Sequence, residues 1–180
     1  MVSIFKWGDP ALGATQNICE TYLAEVSQRE QVPLGVLYAV GLTETGSKGV
    51  LHPYALNIAG KTVLTKSRSG ALEQFNKARH DGVKLIDLGC MQINHHYHGA
   101  RFTSPDQMLD PETNIVYAAR YLKQLREQEG SWTMAVALYH ASSRNKKAQK
   151  SYVCSVIRNL VATDFGAWTP ESKAFCSIHR

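Results

Sequence analysis

The sequence predicts a mainly α domain with one small β-hairpin. Apolar residues recur at helical spacing along most of the chain. The periodic stretches are punctuated by helix-cap chemistry, such as Ser104-Pro105, Asp110-Pro111 and Gly130-Ser131. Apolar and polar residues alternate in only one place, around Ala59-Gly60-Lys61. No repeat, linker or low-complexity segment interrupts this pattern, so one mostly helical layer system is expected.

The elements follow in order. Residues 1–13 read as an irregular segment. Residues 14–30 carry Ile18, Tyr22, Leu23 and Val26 on one helical face. Val32 to Gly46 reads as a short apolar helix, with Pro33 in its first turn and Gly46 in the left-handed position past its end. The hairpin lies within residues 52–68. Ser69 is a candidate cap for a helix over 70–81, and 82–101 read as a polar loop around one apolar knot. Ser104, Pro105 and Gln107 form a capping box for a short helix. Asp110-Pro111 opens another, whose stripe is Ile115, Ala118, Ala119, Leu122 and Leu125, and Gly130 stops it. Ser131 can cap a helix to about 141, with Met134, Ala135 and Leu138 inward. The last helix spans about 146–162, with Val153, Val156, Ile157 and Leu160 inward. Residues 14–162 thus form one domain, and 163–180 a tail packed on it.

Composition limits the function classes. The chain has 180 residues, 44% hydrophobic and 19% charged, enough for a sizeable core and too apolar for disorder. No apolar run approaches the roughly 18–20 residues that span a bilayer. Lys and Arg outnumber Asp and Glu by 20 to 15, a net +5, which favours an anionic partner. The one dense basic cluster, Arg144, Lys146, Lys147 and Lys150, is too small for a nucleic-acid surface and reads as a solvated helix face. Cys19, Cys90, Cys154 and Cys176 fit no zinc or redox spacing, and two disulfides or four buried thiols both remain open. His95, His96 and His98 match no metal-ligand pattern, so a rim position is expected and no metal.

Glu44 breaks a local rule. It falls in the last turn of an apolar helix, where the macrodipole is negative. Apolar neighbours disfavour its charge further, and both effects favour the neutral acid. A carboxyl that keeps its proton is what glycoside cleavage needs to protonate a leaving oxygen. Two other segments carry suitable chemistry. In Asp87-Leu88-Gly89-Cys90-Met91-Gln92-Ile93-Asn94, Gly89 permits close backbone approach, and the amides of Gln92 and Asn94 can meet sugar hydroxyl and acetamido groups. Met91 and Ile93 alternate with them. In Ala137-Leu138-Tyr139-His140-Ala141, Tyr139 offers a flat ring face and a hydroxyl.

In order and spacing these segments resemble the lytic transglycosylases of the soluble transglycosylase and goose-type lysozyme group. That family carries Glu-Ser-Gly at a helix end, and here it is Glu44-Thr45-Gly46. It carries Gly-Leu-Met-Gln-Ile, here Gly89-Cys90-Met91-Gln92-Ile93, followed by Asn94. It carries Ala-Tyr-Asn-Ala-Gly, here Leu138-Tyr139-His140-Ala141-Ser142, and Asn114-Ile115 to Tyr121-Leu122 matches its Asn-to-Tyr-Leu helix. The resemblance covers about residues 15–162. Three positions depart from it: Thr45 replaces Ser but keeps the hydroxyl, Cys90 replaces Leu, and His140 replaces Asn.

The resemblance implies a lysozyme-like (goose-type) helical domain whose groove holds peptidoglycan glycan strands. It implies Glu44 as single acid and base, with Thr45, Met91, Gln92, Asn94 and Tyr139 as substrate-binding positions. Cleavage between N-acetylmuramic acid and N-acetylglucosamine would leave 1,6-anhydro ends, with no cofactor. The competing readings are a hydrolysing lysozyme of the same fold, with Asp87 or Asp81 as base, and a catalytically silent glycan-binding assembly subunit. The Pro53-to-Lys61 segment and Asp87-Leu88-Gly89 look most like a branch found with secretion, pilus or conjugation machinery. A monomer exported to the periplasm is expected. The first ten residues lack a signal peptide's apolar segment, so export follows from the resemblance alone. With export, at least one disulfide is expected, involving Cys154 and Cys176.

Overall fold

The computed structural model describes residues 17–46, 49–140 and 144–177. The expected 1–13 segment and the Ala141-Ser142 end of the Tyr139 motif lie outside them. Helix α1 (Ile18–Glu30) starts at Asn17, whose side chain accepts a hydrogen bond from the Cys19 amide at 3.0 Å. Its buried stripe is Cys19, Leu23 and Val26, while Ile18, expected inward, is 39% exposed. The reason is covalent: Cys19 is bridged to Cys90, which turns that side of the helix inward. Helix α2 (Leu34–Thr45) follows, with Pro33 at its cap. It is apolar almost all round, as a helix enclosed by neighbours should be, and it packs on α1 and α8. Gly46 is not left-handed as expected. Its φ is −62°, and its N–H still reaches the Leu42 carbonyl at 2.9 Å. Glycine suits this position because a Cβ would run into that same carbonyl.

The expected hairpin is present: β1 (Ala55–Ile58) pairs antiparallel with β2 (Lys61–Leu64). Ala59 and Gly60 both have positive φ, the conformation that a two-residue hairpin turn requires. The hairpin belongs to a larger sheet, however. Residues 82–101 contain β3 (Ile86–Leu88) and β4 (Ile93–Asn94), giving four antiparallel strands in the order β2-β1-β3-β4. Strands of three and two residues are too short to show alternation in a sequence. Register places Leu56, Leu88 and Ile93 in one cross-strand row, which is buried. Asn57, Asp87 and Asn94 form the next row. Because side chains alternate along a strand, that row faces the other way.

Helix α3 (Arg68–His80) begins earlier than expected, and Ser67 rather than Ser69 caps it, accepting from the Gly70 amide at 3.1 Å. Arg68 binds Asp106 through two nitrogens, joining α3 to helix α5 (Pro105–Met108). Short helix α4 (His95–His98) and a 3-10 turn at Gly99–Arg101 lead into α5. Helix α6 (Pro111–Glu129) buries the whole expected stripe and ends at left-handed Gly130. Helix α7 (Trp132–His140) buries Ala135, Val136 and Ala137, with Met134 and Leu138 only half-buried. Helix α8 (Lys146–Ala162) buries Val153 and Val156, and Ile157 and Leu160 pack beside them.

The chain beyond 162 carries helix α9 (Pro170–Ser177), linked to α8 by the Cys154–Cys176 disulfide. Phe165 packs on Tyr38 with ring centroids 5.7 Å apart. The disulfides bridge sequence separations of 71 and 22 residues. By loop-closure entropy each stabilises the fold by roughly 3–4 kcal/mol. Among the described residues, no helix is long and apolar enough to cross a membrane.

Candidate active site

The turn Gly89-Cys90-Met91-Gln92 between β3 and β4 is the structural centre of the site. Gly89 has φ +80°, and a Cβ there would lie 2.7 Å from the Asn114 amide, so only glycine fits. Four helices hold this turn. From α1, Cys19 is bonded to Cys90. From α2, the Thr45 hydroxyl reaches the Cys90 carbonyl at 3.3 Å and the Gly41 carbonyl at 3.1 Å. From α6, fully buried Asn114 accepts from the Met91 amide and donates to the Leu88 and Met108 carbonyls, each at 2.9 Å. From α7, the Tyr139 hydroxyl donates to the Met91 carbonyl at 2.7 Å.

Beside this turn lies a cleft of about 270 Å³. Its sheet wall is the polar row Asn57, Asp87 and Asn94, together with Gln92. Its helix wall presents Glu44, Tyr121, Tyr139 and His140, and Tyr97 and His98 stand at the α4 side. Tyr97 is 70% exposed there. On the far side of Glu44 and His140 a second hollow of about 350 Å³ continues, lined also by Ser151, Tyr152 and Ser155 of α8. Glu44 therefore stands between two spaces that could each take part of an extended ligand.

Glu44 is half-buried, with 14% of its side chain exposed. The Tyr152 hydroxyl donates to its Oε1 at 2.6 Å. Burial first, and then the Glu44 charge, push the Tyr152 phenol well above its ordinary value, so this hydroxyl stays a donor. His140 Nδ1 lies 3.8 Å from the same oxygen, an ion-pair contact rather than a hydrogen bond. The imidazole stacks flat on the Tyr152 ring, with centroids 4.3 Å apart and planes 4° from parallel. Glu44 raises the His140 value against the opposing effect of burial.

The sheet wall is committed internally. Asn94 Nδ2 donates to Asp87 Oδ1 at 2.6 Å, while its Oδ1 caps α4 through the His96 and Tyr97 amides. Gln92 Nε2 donates to the Ala55 and Gly89 carbonyls at 3.1 and 3.0 Å. Burial is the largest influence on Asp87 and raises its value, and the Glu44 charge adds to this, while the Asn94 bond and His140 act in the opposite sense.

A family model for the transglycosylase SLT domain matches residues 21–160. The chain belongs to that family. It is a lytic transglycosylase, an enzyme that acts on peptidoglycan. No curated protein and no solved structure matches the chain.

In this transglycosylase the sequence-predicted residues divide. Glu44, Gln92, Asn94 and Tyr139 line the same cleft. Thr45 is buried, with its hydroxyl paired within the protein, and the Met91 side chain is fully buried in the core. Neither is among the residues that line that cleft. Asp87 lies in the cleft, whereas Asp81 ends α3 beside His80, at the surface. The three histidines go separate ways: His95 against Phe75, His96 against Tyr97, and His98 to the Tyr117 hydroxyl at 2.9 Å. Sequence reasoning missed Tyr152, the role of Asn114 and the place of Asn57. Tyr152 precedes Val153 in the apolar stripe of α8 and looks like an ordinary core aromatic.

Proposed function

We propose that Glu44 is the general acid and base of this transglycosylase. Glu44 protonates the oxygen that bridges N-acetylmuramic acid and N-acetylglucosamine. The resulting carboxylate then takes the proton of the muramyl 6-hydroxyl, which attacks the anomeric carbon and closes a 1,6-anhydro ring. The nucleophile belongs to the substrate, so no second carboxylate is needed. Its proximity lets it compete with water. The carrying observation is the placement of Glu44 between the two hollows with Oε1 held by Tyr152. Among the described residues only Oε1 is engaged, which leaves Oε2 for the glycosidic oxygen.

The hydrolytic reading has one observation behind it: Asp87 shares the cleft. Asn94 holds its Oδ1, and burial raises its value, which makes the carboxylate a stronger base rather than a weaker one, so the products decide between water and the 6-hydroxyl. Glu44→Gln keeps the shape but cannot deliver a proton. Turnover on purified peptidoglycan should fall about 10²–10⁴-fold with glycan binding retained. Activity within tenfold of wild type would remove Glu44 from this role.

Export to the periplasm fits both the substrate and the two disulfides, since such bridges persist in oxidising compartments. Service to a secretion, pilus or conjugation apparatus rests on the Pro53–Lys61 and Asp87–Gly89 segments alone.

A further inference from the structure

General acid catalysis near neutrality poses a difficulty: an ordinary glutamic acid has given up its proton well below that pH. The molecule carries a second titratable group at the same atom. His140 Nδ1 is 3.8 Å from Glu44 Oε1, and its ring lies flat on Tyr152, which donates to that oxygen. Among the described residues, the groups facing His140 are Glu44 of α2, Asp87 of β3 and Tyr152 of α8, with Tyr139 beside it on α7 and Tyr121 of α6 lining the same cleft. The charged members of that set are carboxylates. The imidazole also borders both hollows, where the resemblance would place an asparagine that cannot titrate.

We propose that His140 is a proton reservoir for Glu44. This role rests on Glu44 being the catalytic acid. In the resting pair, the carboxylate faces an imidazolium. Transfer breaks the Nδ1–H bond and forms an O–H bond on Glu44, leaving neutral imidazole and neutral acid, the form that can protonate the glycosidic oxygen. The ring must close about 1 Å to reach hydrogen-bond distance. Stacking on Tyr152 confines it to sliding over that ring toward the shared oxygen. A pair keeps its last proton to higher pH than either member alone. The raised His140 value agrees with this sense. Turnover therefore falls as pH rises through the imidazole titration. His140 acts on substrate through Glu44, which makes it a positioning residue.

Two measurements test this together. The first is the pH profile of kcat on purified peptidoglycan for wild type and His140→Asn. The alkaline limb should move at least one pH unit lower in H140N, with KM changed less than threefold. The second is proton NMR titration of the His140 ring, identified by its loss in H140N. Its midpoint in wild type should lie above the ordinary histidine value and drop in Glu44→Gln. Superimposable kcat profiles, or a His140 midpoint unmoved by Glu44→Gln, would overturn the proposal. An inactive E44Q with an unmoved His140 midpoint defeats the reservoir alone, whereas an active E44Q defeats the assignment of Glu44 itself.

Discussion

The two walls of the cleft are built on opposite plans. On the sheet wall, Asp87, Asn94 and Gln92 are polar, but they spend hydrogen bonds on each other or on the backbone. Each wall carries one carboxylate with one oxygen held and the other unengaged among the described residues, but the holders differ. The Asn94 amide holds Asp87 Oδ1, whereas Tyr152 and His140 converge on Glu44 Oε1. An amide orients a carboxylate without exchanging a proton with it. A titratable partner can exchange one, and that gives chemistry. The difference teaches that polarity in a cleft is weak evidence of catalysis until its hydrogen bonds have been accounted for.

The largest effect should come from breaking the support beneath the sheet wall. Asn114→Ala strips hydrogen-bond partners from the Met91 amide and from the Leu88 and Met108 carbonyls, all of them inside the protein. Each stranded group costs about 1–3 kcal/mol. Calorimetry should show about 3–5 kcal/mol of lost stability and a Tm roughly 10 °C lower. Turnover measured well below the transition should stay within about tenfold. A greater loss of turnover with an unchanged Tm would mean that the turn has a chemical role.

The converse break is Tyr152→Phe. It keeps the ring under His140 and removes the donor to Glu44. Hydrogen bonds to charged groups are worth about 1.5–3 kcal/mol, so kcat should fall roughly 10- to 100-fold while Tm moves little. Parallel loss of Tm and activity would make Tyr152 a packing residue, and the contrast between the walls would fail on that side.

How much of this was legible in the sequence depended on how far each signal reaches. The α6 stripe and its Asp110 and Gly130 ends are local, and they stand where the spacing and cap residues put them. Glu44 stands out in the sequence because it violates a local rule, and the fold places it in the cleft. The β3 and β4 strands were not, because two or three residues carry no period. The row Asn57, Asp87, Asn94 exists only once register is known. Tyr152 meets Glu44 across a separation of 108 residues, and nothing local separates it from the Val153 and Val156 stripe. Met91 and Thr45 show the opposite case. Both belong to the motif segments, yet the Thr45 hydroxyl holds the turn and the Met91 side chain lies in the core.

The smallest effect bears most directly on the central claim that the helix wall alone carries the chemistry. Wild type and Asp87→Asn should digest purified peptidoglycan in oxygen-18 water, with products analysed by mass spectrometry. The carboxamide introduced by D87N can still accept the Asn94 bond, so the cleft keeps its shape. If the helix wall acts alone, both proteins give 1,6-anhydromuramyl ends without label. D87N turnover then stays within about threefold of wild type, under ~0.7 kcal/mol in the barrier. Reducing ends carrying oxygen-18, together with a large loss in D87N, would instead make Asp87 the base of a hydrolase and contradict the division between the walls.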